Sequence, residues 1–339
     1  MVKVSEKIKI FLINIFLIFL IFLVFEIFSG DLIFKNKFKC SYILCNANYT
    51  YKTDLYTKSK ITINYKKDEF GLRGRKNKID DIQILTMGGS TTDERYMNLE
   101  NTWSERLEKL FNNKNFDVVN AGIDGQSSFG HIWNFTDWLN KIDNLKVSYV
   151  IFYIGINEKE NSGRHDLSLE NVKYPKKILY MLKYNNGIIS KIYELFFHRF
   201  NPIDELNVAH SKSRDPVFYK VKNSQEFNTS KLNKNIKTLI MLANSLNMKP
   251  IFITQRTLRW KKNEREIFSV NKNYNFYMRE KVISESILNI CEQFKLICLD
   301  GFTELPLEIN DTYDLVHTNP QGSKKIANYI YKKLNKEIF

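Results

Sequence analysis

A serine, an aspartate and a histidine that lie far apart in this chain could together carry nucleophilic chemistry. Ser90 follows an apolar run and two glycines in the stretch IQILTMGGSTTD, residues 82–93, and Asp314 stands three residues before His317 in DLVH. A serine hydroxyl is a poor nucleophile until a neighbouring imidazole takes its proton. A carboxylate on the far ring nitrogen then fixes the imidazole tautomer and stabilises the cation that forms. The spacing of Asp314 and His317 lets a single turn place the carboxylate beside the ring. Attack on an ester carbonyl builds negative charge on its oxygen, which needs preorganised donors. Candidates are the backbone N–H of Ser90, the backbone N–H of Gly125, where no side chain blocks approach, and the side-chain amide of Asn157, which donates without adding a charge. Gly122 competes with Gly125, although the turn after residue 119 is its more natural task. Taken alone, the glycine pair and Ser90 also fit a tight turn leading into a Ser/Thr helix cap.

Residues so distant meet only if the fold gathers the ends of several strands. Ile82, Ile84, Leu85 and Met87 read as a strand covered on both faces, and the two glycines after it permit a sharp turn. Strand and helix then alternate: helix 103–111, strand 116–119, helix 131–139, strand 147–154, helix 231–246, strand 250–254, helix 274–294, strand 296–299 and helix 321–334. This rhythm predicts an α/β fold, a five-stranded parallel sheet with helices on both faces. Ligands of such sheets bind beyond the C-terminal strand ends, where strand order reverses. Four motifs fall at such ends: GGSTT at 88–92, NAGIDGQS at 120–127, GINE at 155–158 and DLVH at 314–317. Beyond the last of these, Asn319 suits an N-cap and Pro320 the first helical position.

The four motifs, in this order over residues 82–334, resemble those of the SGNH (GDSL-type) hydrolases; residues 70–74 and Trp103 are similar to its membrane-attached branch. The resemblance implies a flavodoxin-like, three-layer α/β/α fold with strand order 2-1-3-4-5. Carried over by motif, it implies Ser90 as nucleophile, His317 and Asp314 as the rest of a triad, and Ser90, Gly125 and Asn157 as the oxyanion hole, with no cofactor and no metal. The implied activity is a serine esterase that removes O-acyl groups, acetyl first among them, from a small molecule or a glycan. Transfer of the acyl group to a cell-surface glycan, or an inactive SGNH fold, are the alternatives. Two positions depart from the family pattern: Gly89 stands where the usual motif has Asp, and Glu158 where the usual G-x-N-D has Asp.

Other features set the context. The chain has 339 residues and a formal net charge of +14, but the excess is spread along its length, and no nucleic-acid module signature occurs, so no nucleic-acid partner is expected. Residues 8–28 are almost wholly apolar, close to the ~20 needed to cross a bilayer and too long for an ordinary signal h-region. The expected organisation is therefore a membrane anchor at 1–30, a juxtamembrane spacer at 31–80 with room for a hairpin, and a catalytic domain at 81–339. The short N-terminal tail favours a single pass with that domain outside the cytoplasm. Residues 158–228 exceed any ordinary connection, which predicts an insertion with helices at 176–182 and 188–200, either a lid or membrane-facing surface or a solvated excursion. Gln255 and Arg256 follow the fourth strand and could bind substrate from the rim, or form a salt-bridged loop. His131, His165, His198 and His210 lack metal-ligand spacing and read as packing or surface residues, and Trp133 and Trp138 as core. Cys40 and Cys45 could pair outside the cytoplasm, whereas Cys291 and Cys298 read at least as well as buried thiols.

Overall fold

The computed structural model describes residues 2–29, 43–111, 117–158, 206–208, 216–222 and 226–338. Helix α1 (Val2–Ser29) is apolar on all sides, and its stretch Glu6–Val24, with mean hydropathy 2.6, is long and apolar enough to cross a membrane. It belongs to a compact unit separate from the one that carries the sheet.

The second unit opens with an antiparallel hairpin, β1 (Asn48–Thr53) and β2 (Ile61–Lys66), with Tyr51 opposite Ile63. Then come β3 (Ile82–Gly88), β4 (Val118–Asn120) and β5 (Val147–Ile154), followed by the short β6 (Leu206–Val208) and β7 (Tyr219–Lys220). The last strands are β8 (Lys249–Thr254), the hairpin β9 (Trp260–Asn263) with β10 (Glu266–Ser269), and β11 (Cys298–Leu299). Five of them form one parallel sheet in the order β11-β8-β5-β3-β4. Counted from β3, this is the order 2-1-3-4-5, and order reverses between β3 and β5.

Alternation along the strands explains the layers, because successive side chains point to opposite faces. Ile84, Ile151, Tyr153, Ile251 and Ile253 join one core cluster with Trp103 and Leu107 of α3 (Trp103–Phe111) and Ile326 and Ile330 of the last long helix. Phe152 and Phe252 point the other way and stack at 4.9 Å, with Phe135 against Phe152. The other helices in chain order are α2 (Ser90–Asp93), α4 (Ser128–Trp133), α5 (Ser230–Ser245), α6 (Phe276–Phe294), α7 (Gly301–Glu304) and α8 (Pro320–Ile338), which carries Ile326 and Ile330. Asn319 caps α8 as expected, its side chain accepting from the N–H groups of Gln321 and Gly322 at 2.9 and 3.1 Å.

Several elements differ from the sequence reading. The helix expected over 131–139 is α4 followed by a wide turn, Asn134–Trp138, and a 3₁₀ turn, Leu139–Lys141. Buried Asn134 exchanges two side-chain hydrogen bonds with Gln126 there, and Trp138 reaches the core while its Nε1 donates to Phe70 O. The helices expected at 176–182 and 188–200 lie outside the described residues. The stretch read as spacer with room for a hairpin holds the hairpin β1–β2, and what the sequence reading lacked is β6, which pairs with the other edge of β1. Cys291 and Cys298 form a disulfide, with Cα atoms 6.2 Å apart. The left-handed turn at Lys295, φ 52°, folds the end of α6 back so that the two can meet.

Candidate active site

Ser90 sits where β3 stops. A Cβ on Gly88 would come within 2.6 Å of Tyr153 O in the neighbouring strand, so only glycine lets β3 end against β5. Ser90 is the first residue of a single helical turn, whose first N–H groups have no acceptor within the helix. That turn is held from behind. Fully buried Arg73 donates to the carbonyls of Asp93, Glu94 and Met97, and Asn120 Nδ2 donates to Thr92 O. Tyr65 of β2 donates to Asp93 Oδ1 at 2.6 Å, and Lys67 lies 3.5 Å from the same oxygen while donating to Gly122 O. Residues read as spacer thus brace the turn that presents Ser90.

The histidine comes from a tight loop. Thr312 and Thr318 bridge across it, Tyr313 N–H donates to His317 O, and Leu258 N–H, past the end of β8, donates to Leu315 O at 2.8 Å. Leu315 takes a left-handed φ of 69°, a costly conformation for a bulky residue, held by these contacts. Asp314 Oδ1 accepts from the N–H groups of Val316 and His317 at 3.0 and 2.7 Å. Its other oxygen lies 2.6 Å from His317 Nδ1, and His317 Nε2 lies 2.7 Å from Ser90 Oγ. An ionised carboxylate only accepts, so the imidazole proton belongs on Nδ1 and Nε2 is free to receive one from Ser90. Burial pushes the Asp314 carboxyl upward, but the His317 bond and charge and the two backbone donors outweigh it and hold it below its ordinary value. Tyr313 stacks on the imidazole, ring centroids 5.6 Å apart and planes 12° from parallel.

Of the expected donors, Asn157 is the one whose contacts reach the same turn. Asn157 Nδ2 donates to Gln126 O at 3.0 Å and lies over Gly89, whose Cβ, if present, would stand 2.2 Å from that nitrogen. Gly125 has a left-handed φ of 74°, which glycine adopts without strain. Gly122 does different work: a Cβ there would meet the Asp93 backbone nitrogen at 2.4 Å, so its absence lets α2 pack on the strand exit. Glu158 accepts from Ser128 N–H and Oγ, both at 2.7 Å, and so ties the segment of Asn157 to the loop of Gly125. Gln255, expected at an open rim, is instead 4% exposed: Nε2 donates to Thr91 Oγ1 and Oε1 accepts from Ile156 N–H, because the strand exits crowd together here. Among the described residues Arg256 has no carboxylate within salt-bridge distance; its guanidinium lies 4.9 Å from the Trp260 ring centroid.

A cavity of about 10 Å³ opens beside Ser90 and His317, walled by Thr91, Tyr96, Met97 and Tyr313. That is the room of about one water molecule. A larger cavity, about 530 Å³, runs along Lys66, Arg73, Arg75 and Glu100, but Arg75 is paired with Asp68 and Glu69, and Arg73 with backbone carbonyls. His131 is fully buried, neither of its nitrogens has a hydrogen-bond partner among the described residues, and burial pushes it down to about 3, so it is neutral at pH 7. Among the described residues no group of three potential metal ligands occurs.

Sequence reasoning missed the residues that brace the site, chiefly Arg73, Lys67, Glu94, Asn120 and Glu158. Asn120, Glu158 and Arg73 lay inside stretches already singled out, whereas Lys67 and Glu94 carry no local signal. No protein-family model matches the chain, and no curated protein matches it in sequence. Similar solved structures include a GDSL-like lipase from Bacteroides thetaiotaomicron (13% identity, TM-score 0.40, 76% of this chain and 90% of that one). Another is the psychrotrophic esterase EstA from Pseudoalteromonas sp. (12%, 0.41, 76% and 98%). A third is Axe2, an acetylxylan esterase from Geobacillus stearothermophilus (13%, 0.43, 74% and 93%).

Proposed function

We propose that this chain is a serine esterase of the SGNH type. The observation that carries the reading is the unbroken line from Asp314 through His317 to Ser90, with contacts of 2.6 and 2.7 Å. In this reading Nε2 takes the Ser90 proton as Oγ attacks the acyl carbon, and Asp314 stabilises the imidazolium. The developing oxyanion is received by Ser90 N–H, Gly125 N–H and Asn157 Nδ2. His317 then passes its proton to the leaving alcohol, and water, deprotonated by the same nitrogen, releases the acid from the acyl-serine.

Acetyl is the acyl group that the motif resemblance puts first. A glycan or small-molecule alcohol is the acceptor class that the motif resemblance implies. Helix α1 and the Cys291–Cys298 disulfide support a single-pass anchor with the domain outside the cytoplasm, where such bonds persist. The test is turnover of an aryl acetate and an aryl hexanoate by the detergent-solubilised protein. Acetate hydrolysis that disappears in Ser90→Ala is the expected result. Turnover that requires an added oligosaccharide would shift the reading to acyl transfer, and activity retained in Ser90→Ala would overturn it.

A further inference from the structure

Glu94 is a buried carboxyl for which the chemistry above has no use. It follows α2, its N–H donates to Ser90 O at 2.9 Å, and its own φ of 44° turns the chain sharply away. The residue is 6% exposed. Oε2 accepts from the N–H of Trp103 at the start of α3, at 2.7 Å. Oε1 accepts from Thr318 Oγ1 at 3.2 Å and from Ser323 Oγ, and those two hydroxyls lie 2.8 Å from one another. Thr318 directly follows His317, and Ser323 lies in the first turn of α8. Among the described residues, the hydrogen bonds that join residues 90–94 to residues 312–323 are those of Glu94 and the His317–Ser90 contact itself.

A carboxyl is an expensive group to bury, and an apolar side chain would fill this space at lower cost. Burial pushes Glu94 up to about 7, against the bonds from Ser323, Trp103 and Thr318 and the charge of Arg73. What the carboxyl supplies in return is one point on which the nucleophile turn, the histidine loop, α3 and α8 all converge. We propose that Glu94 is a positioning residue that sets the approach of His317 Nε2 to Ser90 Oγ by latching the turn that carries one to the loop that carries the other. The proposal rests on the esterase reading.

The test compares Glu94→Ala, Glu94→Gln and Thr318→Val with the wild-type full chain, using aryl acetate for kcat and KM and a fluorophosphonate for the rate of Ser90 labelling. A misplacement of about 1 Å costs on the order of 10² in rate. Glu94→Ala is therefore expected to lose roughly that factor in kcat with KM within about threefold. Thr318→Val, which removes one donor and little volume, is expected to lose roughly five- to tenfold, and it keeps the test open if the alanine variant does not fold. A glutamine can accept from Trp103 N–H and donate to the two hydroxyls, so Glu94→Gln is expected to recover most of the loss. Charge-assisted bonds are the stronger ones, so the ratio of wild-type kcat to that of Glu94→Gln should rise as pH passes upward through 7.

The other titratable groups that act on Glu94 are Arg73 ahead of β3, Tyr56 from the β1–β2 connection, Tyr153 of β5 and Tyr313 of the histidine loop. Burial holds all three phenols above their ordinary values, so none changes charge near neutrality. The latch is overturned if the wild type turns over acetate and is labelled while Glu94→Ala or Thr318→Val keeps kcat within twofold. It is equally overturned if the glutamine variant is as impaired as alanine with a ratio flat in pH. A wild type that is neither labelled nor active would instead overturn the esterase reading.

Discussion

Adding a single methyl group at Gly89 should separate catalysis from folding. Gly89 has φ −81° and ψ −148°, so its φ is open to an alanine, and the consequence of Gly89→Ala is steric. The new Cβ would stand 2.2 Å from Asn157 Nδ2 and 3.2 Å from Gln126 O. Ordinary van der Waals contact begins at 3.4 Å, so the amide must retreat by about 1 Å, which breaks its 3.0 Å bond to Gln126 O. One lost hydrogen bond costs about 1 kcal/mol of stability. A displaced oxyanion donor costs about 10² to 10³ in kcat. Steady-state hydrolysis of an aryl acetate, with thermal unfolding measured in parallel, reads both effects. Gly89→Ala should match Asn157→Ala in kcat, and the double variant should be no worse than either, because both remove the same donor. Retention of more than a third of wild-type kcat, or additive losses in the double variant, would refute the placement of Asn157 at the reacting oxygen.

His317→Ala should lose about 10⁴ to 10⁶ in kcat with an unchanged circular-dichroism spectrum, and Asp314→Asn about 10⁴, because the amide supports the wrong tautomer; activity within tenfold of wild type in either would contradict the roles given to them. His131 makes stability fall in acid. Its folded value of about 3 lies below the ordinary 6.5, so between the two the unfolded chain binds a proton that the fold excludes. Stability is then lost as pH falls below 6.5, by about 2 kcal/mol at pH 5. Chemical denaturation at pH 7 and pH 5 should show that loss in wild type and a smaller one in His131→Phe, and equal losses would refute the assignment.

Ser90 and Asn157 were legible as candidates because each follows an apolar strand whose end a parallel sheet must gather, whereas Asp314 and His317 lie past β11 with a short helix and a turn between, and were legible only by their own types and spacing. The triad letters, the Asn319 and Pro320 helix start, and the five core strands all carry short-range signals of this kind. Boundaries suffered where side chains a few residues apart competed with regular structure, as where Gln126 and Asn134 pair and the helix after Ser128 widens. The support around the site was not legible, for a different reason. Arg73, Lys67 and Glu94 resemble ordinary surface charges in sequence, and only the fold reveals that they satisfy backbone carbonyls, Asp93 and two hydroxyls across the unit. Gln255 was misread as rim for the same reason: its partner, Thr91, is 164 residues away.

The central claim is that Ser90 is a nucleophile activated by His317. Mass spectrometry of the protein after exposure to a fluorophosphonate tests it most directly. The account predicts one stoichiometric adduct on Ser90 in the wild type, abolished in Ser90→Ala and slowed at least a hundredfold in His317→Ala. An unmodified Ser90 in folded wild-type protein, or labelling that proceeds at the wild-type rate without His317, would contradict it.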